Sequence, residues 1–117
     1  MASNELDQIK HQIRSFAEER DWDQFHSPKN ISMALIVEAA EMVEHFQWLT
    51  EEQSCNLPEK TQIQVEQELA DILLYLVRLA DKLDVDLIKA AESKIQLNKE
   101  KYPADKVRGS AKKYTEY

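Results

Sequence analysis

The sequence predicts an all-α protein, a four-helix bundle that assembles as an oligomer, and three observations predict it. One glycine and three prolines punctuate 117 residues, too few for the tight turns of a β-fold. Stretches rich in Ala, Leu, Glu, Lys and Gln, all good helix formers, recur throughout. Within them apolar residues return every three and four positions, and no segment alternates apolar with polar as a half-buried strand does. The length suits one domain with a single core.

The first helix is predicted over about 3–20, with Leu6, Ile9, Ile13 and Phe16 forming one apolar stripe. The polar and aromatic stretch "RDWDQFHSPKN" follows, in which Pro28 disfavours helix at Ser27 and permits a new start near Asn30. The second helix covers about 30–49, ending at Trp48. Thr50 caps a short turn through "EEQ", and the proline of "NLPEK" opens a third helix over about 59–82. After "KLDVD", Asp84 or Asp86 serves as N-cap of a fourth helix, which Pro103 ends near Tyr102. Residues 1–103 then form the helical domain and 104–117 a basic C-terminal arm. Short loops between long helices favour antiparallel neighbours, hence a bundle.

The net charge is −7 but uneven: residues 94–117 carry seven Lys/Arg against three acids, leaving an acidic body. Such a body argues against binding to a nucleic-acid backbone, while a small anion can bind if cations mediate. The N-terminal "MASNELDQIK" does not resemble a secretion signal, and no uncharged run approaches the roughly 20 residues that cross a bilayer. A cytoplasmic protein without a membrane partner is expected. The single Cys55 offers neither a disulfide nor a zinc-binding pair.

Helix two contains the first anomaly. Ile31, Leu35, Glu38, Met42, His45 and Leu49 follow steps of four and three, the seam that a bundle helix turns inward. Glu38 thus occupies a core position, and Glu41 lies one turn on, pointing the same way. In helix three the apolar row is Val65, Leu69, Ile72, Leu76, Leu79 and Leu83, while Leu73, Leu74 and Val77 make the other side apolar too. That helix is expected to be wrapped by protein nearly all round, which favours oligomerisation. Glu68 and Asp71 stand beside its seam, with Tyr75 a turn further along.

Four inward carboxylates repel one another, and an unpaired buried ion loses several kcal/mol of effective solvation. Protein cations, protons or metal ions must compensate, and the basic residue in helices two and three near the acids is Arg78. Oxygen-only ligands at this density suit Mg²⁺ or Mn²⁺. A di-iron bundle site uses Glu-x-x-His on two helices, and no Glu here is followed three residues later by His. His45, four after Glu41, reads as a partly buried polar residue at a seam end, and His11 as a surface residue.

The segments "RDWDQFHSPKN", "ALIVEAAEMVEHFQW", "QELADILLYLVRLAD", "KIQLNKEKYP" and "RGSAKKYTEY" together resemble the MazG-type all-α nucleoside triphosphate pyrophosphatases, most closely their dCTP pyrophosphatase branch. The resemblance implies a four-helix bundle in a homodimer or homotetramer, with Glu38, Glu41, Glu68 and Asp71 as Mg²⁺ ligands. It implies nucleotide contacts from Trp22, His26, Trp48, Tyr75, Lys94, Asn98 and Tyr102. The implied reaction converts a (d)NTP and water into a (d)NMP and pyrophosphate, with dCTP or a modified dCTP preferred and nucleotide-pool cleansing as the role. Glu41 is the expected proton acceptor.

The residue types at those positions are compatible with these roles. Trp22 and Trp48 can wall a base by stacking, and His26 can donate a hydrogen bond. Lys94 and Asn98, four apart, share a helix face and offer a cation and an amide. The arm residues Lys112, Lys113 and Tyr114 either fold over a neighbouring subunit's site or form a tail. Two departures from the family pattern are visible: Gln67 replaces an acid beside Glu68, and Ile13 stands where some relatives carry a polar residue. The alternative from another class is a non-catalytic helical interaction module with surface acids.

Overall fold

A computed structural model describes residues 4–111 and 115. Among these there is no strand. The helices are α1 (Glu5–Glu19), α2 (Pro28–Phe46), α3 (Glu51–Ser54), α4 (Glu59–Lys82), α5 (Leu87–Lys101) and α6 (Ala104–Val107), with a 3-10 turn at Asp23–Phe25. The chain divides into two compact units, Met1–Asp84 and Val85–Tyr117.

In the first unit α4 is the central element, packed against α2 and α1. Its 24 residues contain no glycine or proline, and Pro58 precedes it as N-cap. Leu83 closes it, and Asp84 takes a left-handed φ of 54°. This is the conformation glycine usually supplies after a helix, here given to an aspartate. Asp21, two residues beyond α1, does the same.

The caps explain the other boundaries. Asn4 accepts from the Asp7 amide to start α1. Ser27 accepts from Asn30 N to start α2, so that helix begins at Pro28, two residues earlier than expected. Proline suits the first helical position because its missing N–H has no intrahelical partner to lose. Thr50 and Gln53 form a reciprocal capping box that makes the expected turn a short helix, α3. The second helix ends at Phe46, so Trp48 lies in the following turn, not within the helix.

Ala17, Ile31, Val65, Val77 and Ala80 are buried. The covered face of α4 runs through Val65, Glu68, Ile72, Tyr75 and Leu79. The expected seam is therefore only half right: Leu69, Leu76 and Leu83 belong to a second row, and Leu69 is 50% exposed. Within this chain α4 is not wrapped all round. On α2, Met33, Ile36, Val37 and Val43 are likewise exposed, because Ile31, Leu35, Glu38, Met42 and His45 take the covered side.

In the second unit, Asp86 accepts from the Lys89 amide and starts α5, one of the two caps expected. The helix closes at Tyr102, whose amide donates to Asn98 O. Ile88, Ile95 and Leu97 of α5 are exposed. Part of the expected C-terminal arm forms the single turn α6; Lys112, Lys113 and Tyr114 lie outside the described residues.

Candidate active site

The carboxylates of α2 and α4 share one cleft. Glu38, Glu41 and His45 line it from α2, and Gln64, Gln67, Glu68 and Asp71 from α4, around about 270 Å³. Spacings of three and four residues place each set on one helix face. Burial first, then the negative charges of Glu41 and Asp71, push the Glu38 carboxyl above its ordinary value of 4.5. The Glu68 side chain is 17% exposed. Its Oε2 lies 2.8 Å from His45 Nε2, yet that buried oxygen accepts no hydrogen bond. The two groups are within ion-pair distance but are not aligned for a directed bond.

This donor set fits a hard divalent cation: several carboxylate oxygens, one of them buried and unsatisfied, in mutual repulsion. Among the described residues no group of three or more His, Cys, Asp or Glu side chains is arranged to hold a metal ion in the conformation seen here. Ligation therefore requires the acids to draw together, as crowded carboxylates do once a cation offsets their charge. Arg78, the cation that the sequence placed near these acids, pairs instead with Asp23 and Asp81.

A second cavity of about 400 Å³ adjoins the first at Asp71, which lines both. Ile13, Phe16, Trp22, Leu74 and Tyr75 give it apolar and aromatic walls, and Gln12, His26 and Arg78 add polar groups. Trp22 meets Phe16 edge to face, with centroids 5.6 Å apart at 73°, a favourable aromatic geometry. The Arg20 guanidinium stacks over the other partner of that pair, Phe16, at 3.7 Å. Burial, reinforced by the charges of Arg78 and Lys82, lowers the His26 pKa below 6.5, so the ring is neutral at physiological pH.

Of the expected nucleotide contacts, Trp22, His26 and Tyr75 come together in this cavity. Trp48 lines neither cavity and is 86% exposed in the turn after α2. Lys94 and Asn98 lie on α5 and Tyr102 is its C-cap, all in the second unit. His45 and Arg78 are the additions that the sequence did not single out for the site. An imidazole on the α2 seam was the available signal for His45.

Comparison with known proteins identifies the family. The MazG-like family model matches residues 33–117, well over half of the chain. The chain belongs to the MazG-like family. It is 44% identical over 113 residues to a mouse protein named dCTP pyrophosphatase 1, covering 95% of this chain and 66% of that one. The human protein of the same name is 44% identical over 115 residues, with the same two coverages. The chain thus spans about two thirds of the length of these curated relatives. A crystal structure of a pyrophosphatase from Archaeoglobus fulgidus superposes with a TM-score of 0.82 at 32% identity, covering 88% of this chain and 96% of that one. This MazG-like chain therefore shares its all-α architecture with that solved structure. Among the described residues no helix is long and apolar enough to cross a membrane.

Proposed function

We propose that this MazG-like protein is a divalent-metal-dependent nucleoside triphosphate pyrophosphohydrolase that converts a (d)NTP and water into a (d)NMP and pyrophosphate. One observation carries the reading: the acid cleft and the aromatic cavity meet at Asp71. A nucleotide has the same division, a polyanionic end that needs cations and a flat base that needs stacking. The names of the mouse and human relatives favour dCTP, or a modified dCTP, as substrate.

In this scheme Glu38, Glu41, Glu68 and Asp71 hold Mg²⁺, or Mn²⁺, beside the triphosphate. The chemistry a bound cation supplies is neutralisation of phosphate charge and acidification of the attacking water. Water oxygen adds to the α-phosphorus, the α,β-anhydride bond breaks, and pyrophosphate leaves. Glu41, an exposed member of the cleft, accepts the water's proton as general base. Trp22 and Tyr75 hold the base, and His26 donates a hydrogen bond to it. The family resemblance assigns nucleotide contacts also to Trp48, in the turn after α2, and to Lys94, Asn98 and Tyr102 of the second unit.

The exposed apolar faces of α2 and α4 support assembly with further copies, as a homodimer or homotetramer. Nucleotide-pool cleansing is the role that suits such a hydrolase. The deciding experiment measures pyrophosphate release from a panel of dNTPs with and without Mg²⁺. Mg²⁺-dependent release, fastest from dCTP, is the expected result. No release from any triphosphate would reject the enzyme and leave the helical interaction module.

A further inference from the structure

The most elaborate polar contact in the first unit lies outside the acid cleft, at Arg78. Its side chain is 4% exposed, and a buried guanidinium is tolerated only when its donors are matched. Nη1 donates to Asp81 Oδ2 at 3.2 Å and Nη2 to Asp23 Oδ1. A third donor, Nε, reaches the ring of His26 at Nδ1, 3.1 Å away. Arg14 from α1 makes a two-pronged contact to Asp81, and Lys82 also donates to Asp23. Arg78 is thus held from two sides.

An arginine side chain has five N–H donors and no acceptor, and it stays protonated in proteins. A ring nitrogen that accepts from it must present a lone pair. The one proton of neutral His26 is consequently on Nε2, and no hydrogen bond of that nitrogen occurs among the described residues. His26 lines the aromatic cavity.

We propose that Arg78 is a specificity-determining positioning residue, which fixes His26 as an Nε2–H donor and so selects a base that turns a carbonyl or ring-nitrogen acceptor toward it. In this proposal Arg78 acts on the base through His26. The inference rests on the nucleotide reading of the cavity. It assigns that cavity a donor whose sense does not depend on the ligand, since Nδ1 is occupied and the two carboxylates hold the guanidinium in place. Ile13 contributes only apolar wall, and His26 gives the loop between α1 and α2 a donor of fixed sense toward the base.

Two measurements test it, and neither needs catalysis. Long-range ¹H–¹⁵N NMR of the metal-free, nucleotide-free protein reads the His26 tautomer. The expected result is the Nε2–H form in the wild type, with a mixture of tautomers in Arg78→Lys, which keeps the charge and loses the planar fork. An Nδ1–H ring in the wild type would overturn the inference while leaving the hydrolase reading intact. Calorimetry then compares dCMP with deoxyribose 5-phosphate. Arg78→Lys should weaken dCMP about tenfold, the scale of one directed hydrogen bond, while deoxyribose 5-phosphate changes less than about twofold on the same scale. Equal weakening of both ligands would show a merely structural role and would also overturn it. The wild-type tautomer remains decisive if Arg78→Lys does not fold.

Discussion

Nε2 of His45 on α2 lies 2.8 Å from Oε2 of Glu68 on α4, while Glu38, two turns earlier on α2, feels the charge of Asp71, one turn later on α4. That crossed order is the order of antiparallel helices. It brings an imidazole beside a buried oxygen that accepts no hydrogen bond. Replacing His45 with Leu should destabilise the metal-free protein by about 1 kcal/mol, because Glu68 loses its nearest polar neighbour. Urea titration without and with Mg²⁺ checks this, and the stabilisation by Mg²⁺ should be larger in His45→Leu than in the wild type.

Glu38→Gln, Glu41→Gln, Glu68→Gln and Asp71→Asn should each lower turnover by at least about 100-fold, since removing part of a cation's charge complement costs several kcal/mol at the transition state. The fold should survive in each. For Glu38→Gln the metal-free melting temperature should rise, because the substitution removes the member of the cluster whose ionised form is disfavoured. Pyrophosphate release and thermal melting provide the two readouts, and full activity in any two variants would reject the metal assignment.

The same carboxyl predicts a pH dependence. Glu38 binds its proton more tightly folded than unfolded, its value being raised above 4.5. Its contribution to stability is therefore complete below 4.5 and lost as pH rises through the raised value. Melting temperatures of the metal-free protein should decline over that interval, and saturating Mg²⁺ should flatten the decline by favouring the ionised form.

Asp81 predicts the opposite sign. The hydrogen bond from Arg14, aided by the charges of Arg14 and Arg78, holds its carboxyl below 3.8. The stabilisation is present above 3.8 and lost as pH falls through the lowered value. Asp81→Asn should remove that part of the acid transition and cost about 2 to 3 kcal/mol at neutral pH, the scale of hydrogen bonds between charged partners. Denaturant melts at several acid pH values test both statements.

The uncovered row on α2 supplies a prediction about assembly. Ile36 is 62% exposed, next to Met33, Val37 and Val43. If this row seats a second copy, Ile36→Glu places an unpaired charge in the interface and should weaken association on the order of 100-fold. Light scattering over a concentration series reads the change.

Helix existence and most boundaries were legible because the signals are local: Thr50, Pro58 and Asp86 act where they stand in the chain. The acid cleft was legible for a similar reason, since residues three apart on a helix share a face whatever the tertiary fold. The rows on α4 were not separable, because Val65, Ile72 and Leu79 and the offset Leu69, Leu76 and Leu83 obey the same spacing. Only packing decides which row its own chain covers. The partners of Arg78 were not legible for a different reason: His26 and Asp23 lie 52 and 55 residues away in sequence. No periodicity reports contacts of that range.

Asp71 borders both chambers, so on the proposed function ligand choice and chemical competence pass through one side chain. A change in the aromatic walls that moves this carboxylate also disturbs its neighbours across the cleft. On the nucleotide reading, efforts to retune base choice should therefore begin at Ile13 or Phe16, which line the aromatic cavity and not the acid cleft.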